Sequence, residues 1–292
     1  MSQNPKAASL TSAATKTTIA TLSNEILTNP ASGLAPTESG PSKLGQLTAL
    51  LDHPLLSSLS MKSLTLLYCD ILPSYRLRQH SSNEKVKKEE HKTRVFENRL
   101  LTAFTAFVGK LRRDDSKCST RCLLEVVKSK EGCNFYPQII QTLVRRSVKH
   151  SDIVCKGLGG IVERDRRWQA SSVIIGEVAK HCNRGWKDGV KRNSKTDESV
   201  RRLVKDMTRV NLRVTKEEVE AAKVLSRANK KKGKKMSEVR KEVEEEMMEG
   251  DAMESKSNII RWQGETLDSL VRCYLQGMRV GVEENDEELV GV

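Results

Sequence analysis

"KCSTRCLLEVVKSKEGCNFYPQIIQTLVRRSVKH" (Lys117–His150) and "SDIVCKGLGGIVERDRRWQASSVIIGEVAKHC" (Ser151–Cys182) are consecutive stretches whose reading decides the fold. Apolar residues recur in them at helical spacing four times over: Cys118, Cys122 and Val126; Ile140, Leu143, Val144 and Val148; Val154, Leu158, Ile161 and Val162; Ile174, Val178 and Cys182. The four predicted helices form two pairs, whose starts at Lys117 and Ser151 lie 34 residues apart. A helix pair cannot bury its apolar face alone, so stacked pairs of this length predict an α-solenoid. A tetratricopeptide array has the same period, but its Trp, Leu-Gly, Tyr, Ala, Phe and Pro landmarks are missing, which favours HEAT- or armadillo-like packing.

The flanks extend this all-α expectation. Phe96, Leu100, Phe104, Phe107 and Leu111 draw one apolar stripe on a long, otherwise charged helix. Pro137 is the last proline in the 292-residue chain, which favours uninterrupted helices beyond it. With 37% hydrophobic, 30% charged and 4% aromatic residues, the chain reads as helices with an aliphatic core and charged surfaces. The expected organisation is a disordered N-terminus over 1–16, a helical repeat domain over 17–183 and a basic loop with a charged helical segment over 184–257. A terminal packing helix over 258–280 and an acidic tail over 281–292 follow. Within the repeat domain, 31–43 ("ASGLAPTESGPSK") reads as a linker between two short helices. In the terminal helix, Leu267, Leu270, Val271, Tyr274, Leu275 and Met278 would close the solenoid's end or bury against a partner.

The net charge of +13 is uneven: +11 over residues 1–183, +12 over 184–241 and −10 over 242–292. A basic body with an acidic tail suits a polyanionic partner such as RNA, DNA or an acidic protein. Seven widely spaced cysteines predict reduced thiols in the cytosol or nucleus. The Ser/Thr/Ala-rich start is poor in acids, as a transit peptide is, but no arginine precedes Arg76. No window holds 18 consecutive apolar residues, so no membrane partner is expected.

One short stretch carries candidate binding chemistry. In "CDILPSYRLR" (Cys69–Arg78), Pro73 must end the helix that Leu64, Leu66, Leu67 and Tyr68 begin, because it lacks an N–H and biases Leu72 away from helical angles. Tyr75, Arg76 and Arg78 then stand just outside the core. They can hold a partner's backbone, carboxylate or phosphate, or tack the turn to its own helices. Lys230, Lys231, Lys232, Lys234 and Lys235 around Gly233 suit a nuclear or nucleolar import signal or an RNA phosphate contact, against a plain solvated loop. Lys191/Arg192 and Arg201/Arg202 form a looser bipartite pattern.

Catalytic chemistry is absent from the pattern. Cys118 and Cys122 share a helix face without the tight turn of a structural zinc site, so they read as core and no metal is expected. "GLGG" (Gly157–Gly160) lies inside an apolar helical stripe and reads as close helix contact rather than a phosphate cradle. Trp168, Trp186 and Trp262 are isolated and read as helix-end anchors. No Gly-x-Ser-x-Gly, His-Glu-x-x-His or Walker A sequence occurs, so neither an enzyme nor a cofactor is expected.

The stretch "DILPSYRLR" (Asp70–Arg78) closely resembles the "DI(L/I)PGYRIR" signature of the nucleolar complex-associated protein 3 family, with Ser74 where the family usually has glycine. "IATLSNEILTNP" (Ile19–Pro30) and "LGQLTALLDHPLLSSLSMKSLTLLY" (Leu44–Tyr68) are similar to its opening helices. "TRCLLEVVKSKEGCNFYPQIIQTLVRRS" (Thr120–Ser147) and "ETLDSLVRCYLQGM" (Glu265–Met278) resemble later segments. The resemblance implies an armadillo-like, non-enzymatic scaffold of the nucleus and nucleolus, acting in maturation of the pre-60S ribosomal particle and its rRNA. It also implies a partner resembling nucleolar complex protein 2, and a second role in replication initiation on chromatin. Family proteins are expected to run roughly double this length into a further helical domain, so a reduced paralogue or a truncated gene model is expected here. The alternative from a different class is a stand-alone basic nucleic-acid- or histone-binding adaptor.

Overall fold

The computed structural model describes residues 5–37, 40–79, 88–165, 167–187, 202–205 and 256–284. Among them the chain is all-α, built helix on helix as the solenoid reading requires. Two compact units result, Met1–Ile139 and Ile140–Val292.

In the first unit, α1 (Pro5–Thr28) starts inside the segment expected to be disordered. After Pro5, whose ring suits a first helical turn, the segment contains neither glycine nor proline to stop a helix. Helix α2 (Pro30–Leu34) likewise occupies part of the expected linker. The Asn29 side chain accepts the Ser32 N–H at 3.1 Å, and Pro30 follows the cap directly. Gly33 is there for space: a Cβ at that position would lie 3.1 Å from the Ile26 Cα. Ile19, Ile26 and Leu34 are buried. Helix α3 (Lys43–Ala49) begins at Ser42, whose Oγ accepts the Gly45 N–H at 3.1 Å.

A repeat-like alternation is seen in α4 (Ser57–Ile71), α5 (Lys88–Arg113) and α6 (Lys117–Ser129), of which only α6 belongs to the pairs predicted from Lys117 and Ser151. Lys110 pairs with Asp52 at 2.6 Å and Glu97 accepts from Tyr75, so α5 runs antiparallel to α4. By contrast α6 is parallel to α4. The Cys118 thiol reaches the Ser58 carbonyl at 3.7 Å, Thr65 bonds Cys122, and Cys69 reaches the Glu125 carbonyl at 4.0 Å. Antiparallel within a pair and parallel between successive pairs is the alternation of stacked helical repeats. Leu100, Phe104, Phe107 and Leu111 are buried as their spacing predicts. Tyr68 stacks on Phe107 with ring centroids 4.9 Å apart and meets Phe104 at 5.2 Å.

Helix α7 (Tyr136–Arg164) joins the two helices read separately from the sequence, with a non-helical break at His150 (φ −126°, ψ 42°). Beyond it, Gly157 and Gly159 are buried with Val154 and Leu158. Val148, expected on the apolar face, is exposed, and Ser147 is buried in that region instead. Asp165 then organises the start of α8 (Gln169–Lys187), accepting from the Ser171 N–H at 2.7 Å and Ser171 Oγ at 2.8 Å. Trp168 is buried with a left-handed φ of 64°, which anchors that helix end. Helix α9 (Lys256–Glu284) begins before residue 258 and runs four residues into the expected acidic tail. It packs along α8 in parallel, with Ser172 hydrogen-bonded to Glu265 at 2.9 Å near one end and the free thiols of Cys182 and Cys273 hydrogen-bonded near the other. Gln263, Thr266 and Cys273 are buried, whereas Leu267, Val271, Tyr274 and Leu275 are exposed, so α9 does not bury the face its apolar spacing marks.

Candidate functional site

The turn after α4 has the geometry its proline dictates. Leu72 is extended (φ −69°, ψ 132°) and gives its N–H to the Tyr68 carbonyl at 3.0 Å, closing the helix. Leu72 and Leu77 are buried and bracket an exposed arc of Ser74, Tyr75 and Arg76, with Arg78 exposed just beyond. Ser74 carries no left-handed φ. Among the described residues only Gly132, Phe135 and Trp168 do, so this turn does not require the family's glycine.

The arc is held by the loop between α6 and α7. Asn134 pairs with the Leu77 backbone twice, accepting its N–H at 2.8 Å through Oδ1 and donating to its carbonyl at 2.9 Å through Nδ2. Arg76 Nε donates to the Gly132 carbonyl at 3.2 Å. Gly132 and Phe135 both sit at positive φ (79° and 68°), bending the loop so that this carbonyl and the Asn134 amide meet the turn. Tyr75 donates its hydroxyl to Glu97 on α5. That bond to the carboxylate, helped by burial, raises the phenol above its usual value.

Tyr75 and Arg76 therefore make contacts within the chain, as the tacking alternative requires, while their side chains remain on the surface. Asn134 and Gly132 are the supports that sequence reasoning missed. "GCN" before an aromatic was a usable loop signal, but nothing in it named residues 56 or 57 positions away as its partners. Lys230, Lys231, Lys232, Lys234 and Lys235, the bipartite pattern and most of the expected basic loop and charged helical segment lie outside the described residues, apart from Arg202, which pairs with Asp152 at 2.7 Å.

The cysteines behave as core. Burial pushes the Cys122 thiol up to about 11 and Cys133 up to about 12, and raises Cys69 as well. Cys273 is raised by its hydrogen bond to Cys182 and then by burial. Among the described residues no cluster of three or more His, Cys, Asp or Glu side chains could hold a metal, and no helix is long and apolar enough to cross a membrane.

Comparison with known proteins finds a family likeness over part of this geometry. The family model described as nucleolar complex-associated protein matches residues 14–107, which takes in the turn and all of α2 to α4, with most of α1 and α5. Nucleolar complex protein 3 homologs of Xenopus laevis and Danio rerio are each 24% identical over 304 residues, covering 89% of this chain and 36% of the relative. Nucleolar complex-associated protein 3 of Arabidopsis thaliana is 28% identical over 104 residues, covering 33% of this chain and 12% of the relative. The resemblance read from Asp70–Arg78 is borne out. This chain spans about a third of the length of the Xenopus and Danio relatives, less than the half that the sequence led us to expect.

Proposed function

We propose that the chain is a non-enzymatic helical scaffold of a nucleolar complex, acting in maturation of the pre-60S particle through protein and RNA contacts. One observation carries the reading: the residues matched by the family model are those that build the α1–α5 core and its pinned turn, so the likeness falls on a folded element and not on low-complexity sequence. In this reading the particle and a partner resembling nucleolar complex protein 2 meet the exposed arc of Tyr75, Arg76 and Arg78. The lysines at 230, 231, 232, 234 and 235 direct the chain to the nucleolus or contact rRNA phosphates.

Affinity purification of the tagged chain from growing cells tests the whole reading. Large-subunit precursors among the co-purifying species are expected. Recovery of chromatin without them would favour the stand-alone adaptor and overturn this proposal. Replacing the five lysines with alanine should move the protein out of the nucleolus, and unchanged localisation would remove their assigned role.

A further inference from the structure

Helix α4 shows two faces. Leu64, Leu67 and Tyr68 enter the core, while a second ridge of Leu59, Lys62 and Leu66, at i, i+3 and i+7, points away from it, with Leu55 exposed in the turn just before the helix. Leu55 is 80% exposed, Leu66 62% and Leu59 36%. The parallel neighbour α6 presents Lys117, Arg121, Glu125 and Lys128 on its own outer face. The contacts of Ser58 with Cys118 and of Cys69 with Glu125 fix the seam between the helices. On either side of that seam the two exposed ridges come next on each helix's circumference, so both line one surface. It is a leucine ridge bordered by Lys62, Lys117, Arg121 and Lys128, with Glu125 the acidic member of the α6 row.

We propose that this α4–α6 surface docks an amphipathic helix of a partner protein whose leucine-like stripe is flanked by acidic residues. Exposed apolar ridges of this kind mark interaction sites, and i, i+3, i+7 spacing is the pattern by which one helix lies along another. The charge row selects the occupant. A nucleic acid would be drawn to the cations but would gain nothing from three leucines, and a basic helix would be repelled. A second copy of this ridge would bring Lys62 against Lys62. The surface is separate from the Tyr75–Arg78 arc and does not depend on the role proposed for it.

The test uses the full chain and two short fluorescein-labelled synthetic helices with the same leucine stripe, one flanked by glutamate and one by lysine. Anisotropy should show the glutamate-flanked peptide binding about tenfold or more tighter, with affinity falling as salt rises. Leu55→Glu with Leu66→Glu should weaken it about tenfold or more while leaving the melting midpoint within about two degrees, since both leucines are exposed. Lys62→Glu with Arg121→Glu should reverse the preference between the peptides. Equal binding of the two peptides, or binding of neither, overturns the proposal. So does tight binding of a single-stranded RNA that is lost in the leucine variant, or a concentration-dependent dimer that the leucine variant abolishes.

Discussion

Helix α5 buries Leu100, Phe104, Phe107 and Leu111 along one stripe, whereas α9 leaves Leu267, Val271, Tyr274 and Leu275 exposed and buries Gln263, Thr266 and Cys273 instead. Both helices carry an apolar pattern of the same period. The difference lies in what the opposite face offers. On α5 the stripe is made of four large apolar side chains, and the opposite face, Asn98, Thr102, Thr105 and Gly109, offers no comparable apolar area to bury. On α9 the buried face is small or self-satisfied. Thr266 Oγ1 donates to its own helix at the Trp262 carbonyl, 2.6 Å away, and the Cys273 thiol is hydrogen-bonded to the Cys182 thiol. Such a face can approach α8 closely at little desolvation cost. An apolar stripe is therefore compulsory core only where no other face competes for burial.

The largest effect that could break this comparison is in α5. Phe104→Ala removes a fully buried ring that meets Tyr68 and lies 6.2 Å from Phe135, and should cost about 3–5 kcal/mol of stability. Val271→Ala or Leu275→Ala should stay within about 0.5 kcal/mol, because those side chains are 55% and 53% exposed. Chemical denaturation of the three variants decides it. Comparable losses in both helices would mean that the α9 stripe is covered within the chain.

Cys273→Phe sharpens the α9 side. Adding a ring at a buried, closely packed position should cost about 1–3 kcal/mol, whereas Leu275→Phe on the exposed face should be near neutral. If Leu275→Phe proves the more costly change, the orientation of α9 is reversed.

Next in size comes the pinned turn. Asn134→Ala strips the Leu77 N–H and carbonyl of their side-chain partner in a part-buried setting, and should cost about 1–3 kcal/mol. Arg76→Ala loses one exposed bond to the Gly132 carbonyl and should cost about 0–1 kcal/mol. Thermal melts of both variants, with co-purification of the pre-60S particle measured on Arg76→Ala, separate anchoring from recognition. An Arg76→Ala protein that is strongly destabilised yet still recovers the particle would make the guanidinium an internal clamp.

How much of this was legible in the sequence follows from the range of each interaction. The α5 stripe and the helix stop at Pro73 are set by neighbours within a few residues, and the structure has both, along with helices over the stretches predicted after Lys117. The break in α7 at His150 also fell where the two predicted helices met. The α2 helix was hidden because "PASGL" reads as turn chemistry unless one knows that Gly33 lets the chain pack onto Ile26. Asn134 as the turn's anchor and the inverted burial of α9 were hidden for the same reason. Each depends on contacts between distant parts of the chain. Composition showed the charge that borders the leucine ridge, but only the parallel register of α4 and α6 places the two rows together.

A small effect at neutral pH is expected at Tyr68, where α4 enters the same core as α5. Its ring is fully buried against Phe104 and Phe107, yet its hydroxyl finds no hydrogen-bond partner among the described residues. A buried hydroxyl without a partner is a cost, so Tyr68→Phe should keep the ring packing and gain about 0.5–1 kcal/mol at pH 7. The pH dependence gives this a sign. Burial raises the phenol well above its usual value, while in the unfolded chain it ionises near about 10. The unfolded state therefore releases a proton in alkali that the folded state retains. Stability contributed by the neutral folded phenol is complete below about pH 10 and declines above it, by about 1.4 kcal/mol per pH unit. Tyr68→Phe lacks this liability, so its advantage over the parent chain should be small and constant from pH 7 to 9 and widen by pH 11. Other groups titrate alike in both proteins, so the difference between their melting midpoints isolates this one side chain. A difference that stays flat into alkali would mean that the Tyr68 hydroxyl has a partner or reaches water.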